Sequence, residues 1–298
     1  MPSDSPDTLW TISKLITWTR DYFVTHGIDS PRMTAEILLS HCLDISRIDL
    51  YLQYDKPMTA QELSRFKSLI KRRTEREPVA YITGSKGFWT LDLDVSPRVL
   101  IPRPDTECLV EKALCVIPEK KDDAPMTILD LGTGSGAIIL ALASERPGHC
   151  YVAVDISLGA VSLAAMNKKK NRMDANVFFV NGSWFEPFKK KPGFDVIVSN
   201  PPYIPNADIE ELEPEVRQYE PRLALDGDVD GLSCLRLIVD SASNYLKDGG
   251  YLFMEMGFDQ KEAVRGLFEG HACYGQVEFF KDYAGLDRVV KVRKIQCI

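Results

Sequence analysis

The chain has 298 residues, 45% of them hydrophobic and 27% charged, enough for two domains with cores of their own and ordinary for a soluble globular protein. With 36 Lys and Arg against 43 Asp and Glu, its formal net charge is −7, which argues against a general nucleic-acid binder and suits a basic partner. The seven cysteines include no C-x-x-C pair and the four histidines lie far apart, so no disulfide framework or metal site is expected, and reduced thiols in a cytoplasm are. Met1 to Asp7 is polar and acidic, unlike a signal peptide, and the longest apolar runs, such as Ala137 to Ala143, are too short to span a bilayer.

The first third reads as helices. Asp7 is placed to cap a helix with Leu9, Ile12, Ile16 and Phe23 on one stripe and Gly27 at its end. Ser30-Pro31 opens a second helix with Ala35, Leu38, Leu39 and Cys42 inward. Thr59 to Glu62 has capping-box spacing. The helix it starts turns Leu63, Phe66 and Ile70 inward and leaves Arg65, Lys67, Lys71, Arg72 and Arg73 for a solvated face or a docking surface. This helical unit ends near Pro78 to Tyr81. Gly87 to Asp94 alternates like a hairpin, with Trp89, Leu91 and Leu93 on one side. In Val99 to Glu107, proline on both sides of Arg103 makes an extended, stiff segment that suits a pocket wall. Asp105 or Thr106 then caps the next helix.

From Thr127 onward strands and helices alternate. Strands are expected at 127–131, 151–154, 177–180, 196–199, 251–256, 276–280 and 288–293, and helices at 137–145, 158–168, 232–246 and 260–268. This is the pattern of an α/β fold: a mostly parallel sheet with helices on both faces, following a small helical domain. The expected division is 1–84 as a helical substrate-docking domain, 85–106 as linker and hairpin, and 107–298 as the α/β domain.

Four stretches carry chemistry, and all fall at the carboxyl ends of expected strands, where open α/β sheets bind ligands. Gly132, Thr133, Gly134, Ser135 and Gly136 make a strand-to-helix loop through which a ligand can approach the backbone. Asp155 ends the next strand, about twenty residues on, where a carboxylate accepts both ribose hydroxyls of an adenosine-type cofactor; the competing role is a helix cap. Ser183, Trp184 and Phe185 follow the third strand, where Trp184 or Phe185 offers a face to an adenine ring or fills the core. Asn200, Pro201, Pro202 and Tyr203 end the fourth. Two prolines cannot continue a strand. The turn presents a side-chain amide, a free carbonyl and an aromatic ring that together can grip a planar NH2 group.

The glycine loop, Asp155 and the Asn200 to Tyr203 turn resemble class I S-adenosylmethionine-dependent methyltransferases that act on planar nitrogens. Arg73 to Gly84, Leu100 to Glu107 and Tyr219 to Leu225 narrow the resemblance to the HemK/PrmC family of release-factor glutamine methyltransferases, over nearly the whole chain. That family often carries an acid before the aromatic, where this chain has Ser183, whose hydroxyl can accept one hydrogen bond. The resemblance implies a Rossmann-like methyltransferase domain with a seven-stranded sheet. It implies S-adenosylmethionine as cofactor, with S-adenosylhomocysteine as product, held by the glycine loop, Asp155, Ser183, Trp184 and Asn200. The catalytic residues would be Asn200, Pro201, Pro202 and Tyr203, with no metal. The substrate would be the glutamine of the Gly-Gly-Gln loop of peptide chain release factors, modified at N5. A cytoplasmic monomer with no direct nucleic-acid or membrane partner is expected. The competing readings are methylation of a ribosomal-protein glutamine or of an exocyclic amine in DNA or RNA, a nucleotide-dependent oxidoreductase, and an adaptor without chemistry.

Overall fold

A computed structural model of the chain describes residues 9–119 and 124–296. It divides into two compact units: the residues up to Gly84 with Pro214–Tyr219, and Ser85–Glu213 with the residues from Glu220 onward. No helix among the described residues is long and apolar enough to cross a membrane.

The smaller unit packs α1 (Ile12–Thr25), α2 (Pro31–Leu43), α3 (Arg47–Leu52), α4 (Ala60–Thr74) and α5 (Val79–Thr83) around Leu15, Phe23, Leu38, Leu39 and Phe66. The cap of α1 is Thr11, whose hydroxyl accepts from the Lys14 N–H at 3.4 Å. Asp7, expected in that role, lies outside the described residues, and Leu9 precedes the helix and is 63% exposed instead of joining its stripe. Ser30 stands before Pro31 but takes a left-handed backbone (φ 44°) and makes no side-chain cap. The capping box forms as expected: Glu62 N–H donates to Thr59 Oγ1 at 3.2 Å, and Thr59 N–H to Glu62 Oε2 at 2.7 Å.

Arg73 does not join the solvated face of α4. It is 5% exposed, because steps of four and three residues from Phe66 through Ile70 return the same helix face to the core. Its charge is met by Glu215 Oε1 at 2.7 Å and the Glu77 carbonyl at 3.2 Å. Glu215 lies on α9 (Pro214–Tyr219), a short helix distant in sequence, which also donates from the Tyr219 hydroxyl to the Glu75 carbonyl at 2.7 Å.

The larger unit opens with a hairpin of β1 (Ser85–Phe88) and β2 (Leu91–Asp94). Trp89 sits in its turn at φ 56°, half-buried against the same core as Leu91 and Leu93, and its indole donates to Glu145 at 2.7 Å. Pro104–Thr106 forms one tight helical turn leading into α6 (Glu107–Leu114), and neither Asp105 nor Thr106 caps it with a side chain. Then come β3 (Thr127–Leu131), α7 (Ala137–Glu145), β4 (Cys150–Asp155), α8 (Leu158–Lys170), β5 (Asn176–Asn181) and β6 (Phe194–Ser199). After α9 follow α10 (Ser233–Ala242), β7 (Leu246–Glu255), α11 (Lys261–Leu267), β8 (Glu278–Lys281) and β9 (Asp287–Arg293).

The sheet has seven strands in the order β5-β4-β3-β6-β7-β9-β8. Strands β3 to β7 run parallel, and β9 is antiparallel to both its neighbours. Strand alternation buries both faces: Val196 and Val198 of β6 face the core shared with α6 and α7, while Ile197 faces the one shared with α10. The expected helix 232–246 is shorter and β7 longer than its apolar core suggested. Strand β7 begins at Leu246, opposite Phe194, and its pairing with β6 resumes only at Tyr251, opposite Val196; Gly249 and Gly250, which no strand pattern signals, bond instead to the backbone of Lys294. Cys42, Cys108, Cys115, Cys150 and Cys234 are free thiols, whereas Cys273 is disulfide-bonded, contrary to the expectation of reduced thiols throughout.

Candidate active site

Strand order reverses between β3 and β6: from β3 the chain crosses outward to β4 and β5, then returns to place β6 on the other side. The loops leaving the two strands therefore diverge and open a crevice. A cavity of about 440 Å³ lies there, within the range of small-molecule and cofactor sites. Gly132, Thr133, Gly134 and Ser135 line it from β3, Asp155, Ile156 and Ser157 from β4, Gly182, Ser183 and Trp184 from β5, and Asn200 and Pro202 from β6. Arg98 to Leu100, Arg103, Thr106, Leu223 and Asp226 close it from outside the sheet.

The glycine loop takes its shape from left-handed backbone at Gly132 (φ 74°), Gly134 (φ 55°) and Gly136 (φ 84°). A Cβ on Gly136 would come within 3.1 Å of Ala164 Cβ on α8, so this glycine also allows close helix packing. Asp155 does structural and potential binding work at once. Its Oδ2 accepts from Gly134 N–H and its Oδ1 from Ser157 N–H, each at 2.8 Å. Ser157 is the actual cap of α8, taking the Ala160 N–H at 3.2 Å. A carboxylate has about four acceptor positions, so two remain for a ligand. Burial raises the pKa of Asp155, and the two N–H donors oppose that rise.

Behind the loop Asp130 is fully buried. It accepts from the Thr133 hydroxyl at 2.6 Å through Oδ2, while Oδ1 has no partner. Burial, with the Asp155 charge adding to it, pushes Asp130 up to about 7. Of the two aromatics after β5, Trp184 lines the cavity, held at φ 46°. Phe185 is core, stacked on Tyr245 at 4.5 Å between ring centroids.

At the β6 end, Asn200 lines the cavity and donates from Nδ2 to Thr106 Oγ1 at 3.2 Å. The turn is anchored from below: Gln260 Nε2 donates to the Tyr203 carbonyl at 2.8 Å and Ser199 Oγ to the Leu131 carbonyl at 2.7 Å. Tyr203 does not line the cavity; its hydroxyl donates to buried Glu255 at 3.1 Å. Pro201 does not line it either. The structure thus brings Gly132 to Ser135, Asp155, Ser183, Trp184, Asn200 and Pro202 to one cavity, with Pro201, Tyr203 and Gly136 next to these in the chain but not among its lining residues.

Two carboxylates at this site carry no role in the sequence reading. Glu220, 6% exposed, accepts from Ile101 N–H at 3.1 Å and from Arg103 at 2.5 Å, so it holds the Arg103 guanidinium in the cavity wall. Glu255 is 1% exposed. The available signal was an acid inside an otherwise apolar strand, Tyr251 to Met256, since an acid is rarely buried unless paired.

Residues 14–84 match the PrmC N-terminal domain, and residues 122–277 match a methyltransferase domain. The release factor glutamine methyltransferase of Geobacter sulfurreducens is 46% identical over 284 residues, 95% of this chain and 96% of its own. The chain belongs to the release factor glutamine methyltransferase family. The family member from Rhodopirellula baltica aligns at 38% identity over 99% of this chain and 100% of its own length. Among solved structures, the hMettl16 catalytic domain in complex with a MAT2A 3'UTR hairpin has a TM-score of 0.54 at 13% identity, covering 79% of this chain and 80% of that one. That likeness is one of fold alone. The two sides of the cavity come from the two strands at which the sheet order reverses.

Proposed function

We propose that the protein transfers a methyl group from S-adenosylmethionine to the side-chain nitrogen, N5, of the glutamine in the Gly-Gly-Gln loop of peptide chain release factors. The observation that carries this reading is the joining, in one cavity, of the glycine loop and Asp155 with Asn200, in a chain related end to end to release factor glutamine methyltransferases. The cavity suits the cofactor: its volume is adequate, Gly134 leaves open space where a Cβ would stand, and Asp155 keeps acceptor capacity beyond its two backbone bonds. Asp155 would hold the ribose hydroxyls, Trp184 and Ser183 the adenine end, and Gly132 to Gly136 the backbone approach. When bound, S-adenosylmethionine supplies an electrophilic methyl on a sulfonium.

A carboxamide nitrogen is a weak nucleophile, because its lone pair is delocalised into the carbonyl. The protein's part is therefore orientation and polarisation. Asn200 Oδ1 and the Pro201 carbonyl each accept one substrate N–H, which fixes the nitrogen's direction of approach. Pro202 keeps the turn rigid. Orientation of this kind contributes up to about 7–11 kcal/mol to lowering a barrier. The N–C bond forms as the S–C bond breaks, positive charge grows on nitrogen in the transition state so both acceptors bind it more strongly there, and the nitrogen then gives up one proton to solvent, leaving N5-methylglutamine and S-adenosylhomocysteine. Tyr203 supports the turn from behind through Glu255. The helical residues 1–84 act as the docking domain for the release factor, with 85–106 as connector and 107–298 as the catalytic domain.

The test is mass spectrometry of a purified release factor after incubation with enzyme and S-adenosylmethionine, with ribosomes and DNA as parallel acceptors. The expected result is one added methyl on the Gly-Gly-Gln peptide and none on the other two. An unshifted peptide with active methyl transfer elsewhere overturns the substrate. Asn200→Ala is expected to lower kcat by about a hundredfold or more, and an unchanged kcat removes Asn200 from the mechanism.

A further inference from the structure

Pro201 and Pro202 bring no N–H to the turn after β6, so its middle has no backbone donor and its geometry depends on how its two ends are held. Tyr203 and Ile204 form the far end. Ile204 N–H donates to the Leu225 carbonyl at 3.1 Å, and the Ile204 carbonyl accepts from Gly227 N–H at 2.8 Å. The Tyr203 carbonyl accepts from Gln260 Nε2 at 2.8 Å. Gln260 stands at the entry of α11, is 8% exposed and is not among the cavity's lining residues. Its side-chain amide is spent wholly on backbone groups. Nε2 also donates to the Gly231 carbonyl at 3.3 Å, and Oε1 accepts from Gly257 N–H at 2.9 Å. Gln260 N–H returns a bond to the Gly257 carbonyl at 3.0 Å, which closes a ring and fixes the side chain. One orientation of the amide satisfies all three groups. Turned over, it would set oxygen against two carbonyls and NH2 against an N–H. The fit has no slack: a Cβ on Gly231, at φ 71°, would stand 2.5 Å from the Tyr203 oxygen and 2.7 Å from Gln260 Nε2.

We infer that Gln260 is a positioning residue for methyl transfer: by tying the Tyr203 carbonyl to Gly231 and Gly257, it sets the direction of the Pro201 carbonyl and of Asn200, the two acceptors of the substrate nitrogen. This deepens the proposed function and rests on its reading of those two acceptors. Gln260 does not line the cavity, so it acts through the turn alone. A turn free to pivot at Tyr203 keeps both acceptors and loses their aim. Transfer then slows, while the part of the cavity formed at the ends of β3, β4 and β5 keeps its shape.

The experiment measures kcat for release-factor methylation and Kd for S-adenosylmethionine in Gln260→Met and Gln260→Glu between about pH 6 and about pH 9, each as a ratio to wild type so that other titrating groups cancel. Methionine keeps the length of glutamine and removes its donor and acceptor. An ionised carboxylate offers oxygen alone to two carbonyls; once protonated it regains one donor, and burial raises the pH at which it does so. Gln260→Met is expected to lower kcat about tenfold or more at every pH. Gln260→Glu is expected to match that loss near pH 9 and to recover about fivefold toward pH 6. Kd for the cofactor is expected to stay within about threefold of wild type in both. Wild-type kcat in Gln260→Met, a Gln260→Glu ratio that does not change with pH, or a loss of cofactor binding parallel to the loss of kcat overturns the proposal. Because Gln260→Glu is compared with itself across pH, its result stands even where Gln260→Met does not fold. A second measurement needs no acceptor. In the ¹⁵N-labelled protein the Asn200 side-chain NH2 resonances are expected to move in Gln260→Glu at high pH and to return toward wild type at low pH, and unmoved resonances overturn the proposal. If the wild-type enzyme leaves the release factor unmodified, the proposed substrate fails while these resonances still decide the role of Gln260.

Discussion

Asp130 and Asp155 lie on neighbouring strand ends, and burial treats them differently because their partners differ. Asp155 takes two backbone N–H donors, whereas Asp130 takes one hydroxyl and keeps an unpartnered oxygen. Asp130 is pushed up to about 7 from an ordinary 3.8, so the folded protein holds this proton more tightly than the unfolded chain. The associated stability is complete below about pH 4 and is lost as pH rises to about 7. An Asp130→Asn variant stays neutral, and its Tm is expected to fall less than that of wild type across that window. Parallel decline of the two melting curves contradicts this. Asp155→Ala is expected to raise Kd for S-adenosylmethionine about ten- to a hundredfold, the size of a lost pair of bonds to a charged group, measured by calorimetry. A Kd equal to wild type returns Asp155 to a purely structural role.

Among elements, α9 is the least conspicuous and the most consequential for the helical unit. It supplies Glu215 to Arg73 and Arg76, and Arg73 is buried with its Nε unpartnered. Glu215→Ala leaves a buried cation without its counter-charge, which costs about 3–5 kcal/mol. Denaturant unfolding is expected to show that loss, and Arg73→Met added to Glu215→Ala is expected to recover much of it. The sequence made the α/β elements legible because their apolar runs and glycine loop are local signals; the expected β3 (127–131) and α7 (137–145) match the observed bounds. It did not reveal that Arg73 continues the Phe66 and Ile70 face, since a charge read by residue type alone is assigned to solvent. The Asn200–Thr106 bond spans 94 positions, and no periodicity carries information over that separation. The glycines that lengthen β7 likewise read as a break, until their backbone bonds to Lys294 are seen.

For the whole molecule, the cavity belongs entirely to the larger unit, so the cofactor should stabilise that unit. S-adenosylmethionine at a hundred times its Kd is expected to add about 2.7 kcal/mol to the unfolding free energy of that unit. Differential scanning calorimetry reads this as an upward shift in wild type and a smaller one in Asp155→Ala at the same concentration, about 0.4–1.4 kcal/mol for a ten- to hundredfold weaker Kd. An equal shift in the two proteins contradicts the proposed site. The net charge of −7 belongs to this scale as well: it favours approach of a basic partner in a salt-dependent way.

Helix α9 also bears on heredity and on engineering. The helical unit is written in two separate passages of the sequence, and the second lies inside the other unit's stretch, between the Asn200 turn and Glu220. A recombination joint near Gly84 would exchange most of the unit and leave behind the six residues from Pro214 to Tyr219. Arg73 and Glu215 would then come from different parents, and a mismatch would leave a charge stranded in the interior. Hybrids between relatives should therefore be viable when both passages travel together, and drift in one should be answered by drift in the other.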